Sequence, residues 1–496
     1  MTPPDQPGTL LGIDLGTASV KVVLTDTEGR PLVQAQRAYD VDHPRTGWSE
    51  TAPQHWWEAV GQAVREVAAH RPGRPLALGL SGQMHGVVLT ADDHEPVRPA
   101  VLWSDSRAAP ETAAYDTLPA TVRARLANPV VPGMAGPQLS WVARHEPDLM
   151  SRARWALQPK DWLRLRLTGI VATEPSDASG TLLWDVVGER WDPDVVSALS
   201  LDLGLLPPVL RSGGAFAGAL TTTAAEHLGL PPGIPVAAGG ADTAVALLGT
   251  RLSEPGSVQL TIGTGVQLVT PLAELPTPLP RRPLTHTYRT VDEHGWYAMA
   301  ASINGGSTLA WVCQVLGMSW PELYATAALP AHDDDPLFLP HLHGERTAPT
   351  SQPLLGAWTG LSPRHDRARL ARAALEGVAI AVHEAARSLS LPASAEPVRL
   401  AGGGTVAPAW RQLLADALGR PLDAVDTPGA SGLGAALLAG RAIGVEVLPP
   451  SPAPRPHAAE PRREDTERLA ERAARWRRQA LALQRSGVES PAPPVS

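Results

Sequence analysis

Lysine is almost missing from this chain. Of 496 residues only Lys21 and Lys160 are lysines, and arginine carries the rest of the positive charge. A phosphate-binding P-loop needs lysine between a glycine and a Ser or Thr. Lys21 follows Val20 and Lys160 follows Pro159, so neither fits. Phenylalanine is equally scarce, and Phe216 and Phe338 both stand outside any Asp-Phe-Gly, which argues against a protein kinase. No Gly-x-Gly-x-x-Gly follows a strand-like run, which argues against a dinucleotide-binding fold. Cys313 is the single cysteine, so an internal disulfide and a cysteine-built zinc site are excluded. Flanked by Trp311 and Val312, it reads as a small core hydrophobe. No run approaches the ~18 apolar residues of a membrane span. The start, Met1-Thr2-Pro3-Pro4-Asp5, has neither a basic nor a long apolar leader region. A soluble cytoplasmic protein is expected. Excess basic charge is absent too: 42 basic residues against 50 acidic ones give a net charge of −8, which argues against a general binder of nucleic acid or anionic membranes.

What is present is a chain long enough for about three domains, or two large ones, with a substantial core. Residues 9–16, Thr-Leu-Leu-Gly-Ile-Asp-Leu-Gly, read as a short apolar strand ending in a glycine turn, with residues 20–24 as the return strand and residues 26–29 as the next turn. That is the shape of a phosphate-binding hairpin. Residues 55–70 carry Trp56, Val60, Val64 and Val67 at helical spacing. Residues 76–80, 97–103 and 234–238 read as strands, the last ending at Gly239-Gly240-Ala241-Asp242-Thr243 before a small-residue helix. Residues 257–269 then repeat the opening motif as strand, Gly263-Thr264-Gly265 turn and return strand. Two such hairpins point to an internally duplicated architecture. Residues 398–400 form a further strand before Ala401-Gly402-Gly403-Gly404-Thr405, helices are expected over 409–418 and 431–439, and residues 449–461 turn Pro/Ala-rich like a linker. An Arg-rich amphipathic helix is expected over 466–484, and residues 486–496 should fray.

Several stretches in this order resemble the FGGY family of carbohydrate kinases. They are Gly-Ile-Asp-Leu-Gly-Thr (12–17), Gly-Trp-Ser-Glu (47–50), Ser-Gly-Gln-Met-His-Gly (81–86), Leu-Trp-Ser-Asp-Ser-Arg (102–107), Pro-Lys-Asp-Trp-Leu-Arg (159–164), Ala-Gly-Gly-Ala-Asp (238–242), Gly-Glu-Arg-Thr-Ala-Pro (344–349) and Gly-Gly-Gly-Thr (402–405). The resemblance runs from about residue 10 to about residue 441. Its Gln-Met-His-Gly element is similar to the xylulose-phosphorylating branch rather than the glycerol-phosphorylating one. It implies an α/β fold of two actin-like, ribonuclease H-like domains with an interdomain catalytic cleft. The expected division is 1–248 for sugar binding and the first phosphate loop, 249–445 for ATP, and 446–496 for a Pro-rich linker, helix and frayed tail. The implied reaction is ATP-dependent phosphorylation of D-xylulose at its 5-hydroxyl, with Mg²⁺. Small molecules, the sugar and ATP, are the expected partners, with no nucleic acid and no membrane; relatives of this kind often form homodimers.

Phosphoryl transfer needs positioning, charge neutralisation and a base for the attacking hydroxyl. Glycine lets backbone N–H groups close on phosphate oxygens. In the family pattern, Gly16, Thr17 and Ala18 form one phosphate turn and Gly263, Thr264 and Gly265 the other. Asp14, at a buried strand end where an unpaired carboxylate is costly, is placed on Mg²⁺; taken alone it would be a turn-capping aspartate. Lys21 faces the phosphates or, equally, is a solvated strand lysine. Asp242, where the following helix N-terminus favours an anion, is the general base. Met84 and His85 are sugar contacts, Trp103 a stacking face and Asp105 an acceptor of hydroxyl protons. Gly402, Gly403 and Gly404 form the adenosine-side turn, and Gly344-Glu345-Arg346 a structural element near the cleft. His341 and His343 lack carboxylate partners at ligand spacing and read as structural. Three departures stand out. Thr243 follows the base where the family has Asn, Ser104 replaces Asn beside Trp103, and Gly265 replaces Ser. The first two weaken the choice of xylulose more than the choice of kinase. The nearest rival is the same chemistry on another ketose, polyol or sugar acid. A rival of another class is a non-enzymatic actin-like nucleotide switch.

Overall fold

The computed structural model describes residues 8–70, 74–342, 356–389, 391, 396–402, 407–425, 429–448 and 457–485. The opening hairpin forms as the sequence pattern predicts. Strand Thr9–Leu15 pairs antiparallel with Ser19–Asp26, which pairs with Pro31–Ala38. Leu11, Ile13, Leu15, Val20 and Val22 drive it, all buried against helix Pro53–His70, whose Trp56, Val60, Val64 and Val67 make one apolar stripe. Strand Ala77–Gly82 joins Thr9–Leu15 in parallel, and Pro235–Ala237 joins it in turn. Residues 97–103 yield only the two-residue strand Ala100–Val101, paired with Glu50–Thr51. Pro99 cannot donate to a ladder, and the chain already turns at Asp105, whose amide bonds the Leu102 carbonyl at 3.0 Å.

The second sheet repeats the order of the first. Strands Trp296–Ser302, Val266–Leu272 and Val258–Ile262 run antiparallel, and Val398–Ala401 and Leu422–Ala424 add in parallel. This is the same sequence of pairings as Pro31–Ala38, Ser19–Asp26, Thr9–Leu15, Ala77–Gly82, Pro235–Ala237. The duplication expected from the two hairpins is therefore a property of the whole sheets.

The halves interlock through two helices. Ala430–Ala442, late in the chain, lies across the first sheet on Thr9–Leu15 and Ala77–Gly82, and against it packs Asp242–Thr250. Such close approach needs missing side chains. A Cβ on Gly79 would stand 1.9 Å from the Ala435 carbonyl oxygen, and one on Gly434 would stand 2.1 Å from that of Val245. Helix Arg463–Arg485 closes the second half, burying Leu469, Ala473, Trp476 and Ala480. The Trp476 indole donates to the Phe338 carbonyl at 2.9 Å. Just before it, the Ala459 carbonyl accepts the Leu422 amide at 2.9 Å, so this end of the Pro/Ala-rich stretch is docked on a strand edge. Among the described residues no helix is long and apolar enough to cross a membrane.

Candidate active site

Three strands bring the first charged group into place. Asp14 stands directly opposite Lys21 on the antiparallel neighbour and opposite Ser81 on the parallel one. The Ser81 hydroxyl donates to Asp14 Oδ1 at 2.8 Å. Burial raises the Asp14 carboxyl above its ordinary range, while Ser81 and the Lys21 charge pull it back. The Gly16-Thr17-Ala18 turn follows. The Gly16 carbonyl accepts from Gln83 Nε2 at 3.1 Å and from the Tyr39 hydroxyl. Trp103 donates its indole N–H to Thr17 Oγ1 at 2.9 Å, so it braces the phosphate turn.

The second turn is braced from a region the sequence reading passed over. The amides of Gly306 and Ser307, at the start of helix Gly306–Leu316, donate to the carbonyls of Gly263 and Thr264 at 3.0 and 2.9 Å. A Cβ on Gly306 would meet the Gly263 oxygen at 2.3 Å; the usable signal was a Gly-Gly pair opening an apolar helix. Gly402 ends strand Val398–Ala401 at φ +93°, within reach of the Ile262 backbone and so beside this turn. Gly403, Gly404, His343 and Gly344-Glu345-Arg346 lie outside the described residues.

Asp242 opens helix Asp242–Thr250, straight after the two-residue strand Gly240–Ala241. Its Oδ1 accepts the Thr243 amide at 2.5 Å and the Thr243 hydroxyl at 3.2 Å. Burial and the Asp14 charge push its carboxyl up to about 6, against the pull of Thr243. It therefore stays ionised at neutral pH, as expected of a base, but less firmly than a helix N-terminus alone would make it. The start of helix Ala430–Ala442 lies between the two carboxylates: Ser431 donates to the Asp242 carbonyl at 3.3 Å, and a Cβ on Gly432 would be 3.9 Å from Asp14 Cβ.

Behind Asp242 lies an ion cluster. The Lys160 ammonium, fully buried, is 2.6, 3.0 and 3.4 Å from Asp161, Asp177 and Glu174. Glu174 accepts the Ser176 hydroxyl at 2.8 Å, and that hydroxyl accepts the Ala241 amide at 3.0 Å, which fixes the backbone ahead of the base.

The expected sugar contacts separate. His85 takes φ +72°, a conformation that costs a non-glycine residue ~1–3 kcal/mol and is a mark of functional positions. Its Nδ1 is 2.7 Å from the Gly180 carbonyl, a contact in which the ring nitrogen donates. Met84 packs under the Tyr297 hydroxyl, 3.9 Å from its sulfur, and Tyr288 lies 5.9 Å from the His85 ring. Both tyrosines come from the second half and were not singled out from sequence. Asp105 is 2% exposed and fully engaged. It accepts Ser49 N at 2.6 Å and three Arg107 groups at 2.7–2.9 Å. Four donors fill the carboxylate, so Asp105 ties the Ser49 backbone to Arg107 instead of presenting an acceptor to sugar hydroxyls.

Two family models cover most of the chain: the FGGY family of carbohydrate kinases, N-terminal domain, over residues 9–249, and its C-terminal domain over residues 258–443. The xylulose kinase of Escherichia coli strain K12 is 35% identical over 92% of this chain and 98% of its own length. A glycerol kinase of Alkalilimnicola ehrlichii is 31% identical over 96% of this chain and 98% of its own. Among solved structures, a xyloylose kinase from Brucella ovis superposes with a TM-score of 0.88 at 31% identity, covering 96% of this chain and 99% of that one. With two sheets of one topology interlocked around paired glycine turns and two carboxylates, the chain belongs to the FGGY family of carbohydrate kinases, phosphotransferases that act on a sugar hydroxyl.

Proposed function

We propose that this chain transfers the γ-phosphoryl group of ATP to the 5-hydroxyl of D-xylulose, with Asp242 as general base. The observation that carries the reading is the position of Asp242. It is a partly solvent-accessible carboxylate held near a pKa of about 6, at the first residue of the helix that packs against Ala430–Ala442. A base poised just below the working pH can take a proton readily and is ionised most of the time. The Gln83-Met84-His85 element and the identity to xylulose kinases support the choice of sugar.

In the proposed step the sugar O–H proton passes to an Asp242 oxygen. The sugar oxygen forms its bond to the γ-phosphorus as the bridging P–O bond breaks, and ADP leaves with the electron pair. The Gly16–Ala18 and Gly263–Gly265 backbones hold the phosphates, and Lys21, across from Asp14, adds positive charge. The His85 ring meets sugar hydroxyls and Met84 gives an apolar wall.

The carboxylates fit a magnesium ion. The Asp14 charge raises the Asp242 carboxyl, and burial raises that of Asp14, a charge that a bound cation would compensate. Among the described residues no cluster of three or more His, Cys, Asp or Glu side chains suits a metal. One or two carboxylates, with water and substrate phosphates, are what Mg²⁺ takes. When bound, the ion would neutralise phosphate charge, and Asp14 would hold it.

Coupled ADP release over a panel of ketoses, polyols and sugar acids tests the substrate, since Thr243 and Ser104 depart from the family pattern. D-xylulose should give the highest kcat/KM; a clear preference for another sugar defeats the assignment. Asp242→Asn should cost ~10²–10⁴-fold in kcat with ATP binding intact. Parental turnover in that variant removes Asp242 from the role.

A further inference from the structure

The base is held by a chain of hydrogen bonds that begins in the other half of the molecule. Asp242 Oδ1 accepts both the amide and the hydroxyl of Thr243. A hydroxyl that donates once still has lone pairs to offer, and Gln267 Nε2 donates to Thr243 Oγ1 at 3.2 Å. Gln267 lies on Val266–Leu272, the return strand of the second phosphate hairpin, two residues after Gly265. Its amide nitrogen is also 3.0 Å from the sulfur of Met299 on the adjoining strand, a second contact that fixes the side chain. Direction is consistent throughout: amide to hydroxyl to carboxylate. Among the described residues no donor is placed on Asp242 Oδ2.

We propose that Thr243 and Gln267 are positioning residues for the base. They hold Oδ1 so that Oδ2 is turned to the sugar hydroxyl, and they tie that orientation to the hairpin carrying the second phosphate turn. The inference rests on Asp242 being the general base. In this role neither residue acts on the reacting atoms directly; each acts through the Asp242 carboxylate. Their loss therefore falls on kcat, because a base misplaced by a fraction of an ångström loses proton transfer without losing ligand binding. Gln267 acts only through the Thr243 hydroxyl, so its contribution disappears once that hydroxyl is gone.

The test is steady-state kinetics of Thr243→Val, Thr243→Ser, Gln267→Leu and the Thr243→Val/Gln267→Leu double variant, with Asp242→Asn beside them. Thr243→Val should lower kcat about tenfold with KM for both substrates within about twofold. Thr243→Ser, which keeps the hydroxyl, should recover most of that loss. Gln267→Leu should lower kcat roughly threefold, and the double variant should be no slower than Thr243→Val. Parental kcat in Thr243→Val, losses that appear in KM alone, or two losses that simply multiply would overturn the proposal. Should Thr243→Val fail to fold, Gln267→Leu alone decides, since parental kcat there is equally fatal. An inactive Asp242→Asn beside a fully active Thr243→Val sinks only the positioning role. A fully active Asp242→Asn sinks the base itself.

Discussion

A carboxylate placed where it can accept a proton is also placed where it costs stability. Asp242 shows both sides. Its pKa lies at about 6 in the folded chain against 3.8 ordinarily, raised first by burial and then by Asp14. Between those values the folded state holds more protons than the unfolded one, so stability falls as pH rises from about 4 to about 6. Above that range the deficit is complete. Asn at this position removes the charge and keeps the shape. Asp242→Asn should therefore raise unfolding free energy at pH 7.5 by about 2–3 kcal/mol in magnesium-free buffer, and the gain should shrink toward pH 4.5. Urea midpoints at the two pH values check it; equal midpoints for variant and parent at pH 7.5 would show that the carboxylate bears no such cost. Asp14 and Asp242 were singled out through the family pattern, since taken alone each reads as a capping aspartate. Asp105 was also taken from the family pattern, in Leu-Trp-Ser-Asp-Ser-Arg, yet its role depends on where one side chain folds. Arg107, two residues on and within the same quoted stretch, wraps back with three donors. A nearby Arg was visible; its conformation was not.

The hairpins were readable for another reason: strand, glycine turn and return strand are neighbours in the chain, so local pattern decides them. The helix Ala430–Ala442 was read as a helix over 431–439, but its seat on the first sheet was not. Its partners, Gly12 and Gly79, lie more than 300 residues earlier, and no local periodicity links them. What links them is space. A Cβ at Gly79 would have to displace the Ala435 carbonyl, which is backbone inside a helix and cannot swing aside. The same helix start reaches Asp242 through Ser431 and flanks Asp14 through Gly432. Lifting it should disturb packing and catalysis together. Gly79→Ala is expected to destabilise the chain by about 3 kcal/mol, near the top of the range for overpacking, and to lower kcat at temperatures where the variant is still fully folded. Denaturant midpoints with circular dichroism, followed by kinetics well below the melting temperature, separate the two effects. An unchanged midpoint would mean the helix packs with more room than the 1.9 Å approach allows.

At the scale of the molecule, the two sheets of like topology each supply one of the proposed phosphate turns, and the remaining parts of the candidate site are shared across the halves. The Met84–His85 loop of the first half rests on Tyr288 and Tyr297 of the second. Gln267 of the second reaches the residue beside the base of the first. A site assembled in this way is complete only when the halves are together. Water is also a hydroxyl, and a base ready for a sugar would serve it equally well, so hydrolysis is limited if the sugar itself supplies the contacts that complete the site. Trp103 is placed to report this, since it is a proposed sugar contact and its indole donates to Thr17 of the first proposed phosphate turn. Saturating sugar should change tryptophan fluorescence without ATP, and Trp103→Phe should remove most of that change. ATP hydrolysis without sugar should run roughly a hundredfold slower than phosphorylation. If hydrolysis without sugar matched the kinase rate, the halves would already be set for chemistry in the free enzyme, and protection from water would have to come from the binding of the sugar hydroxyl alone.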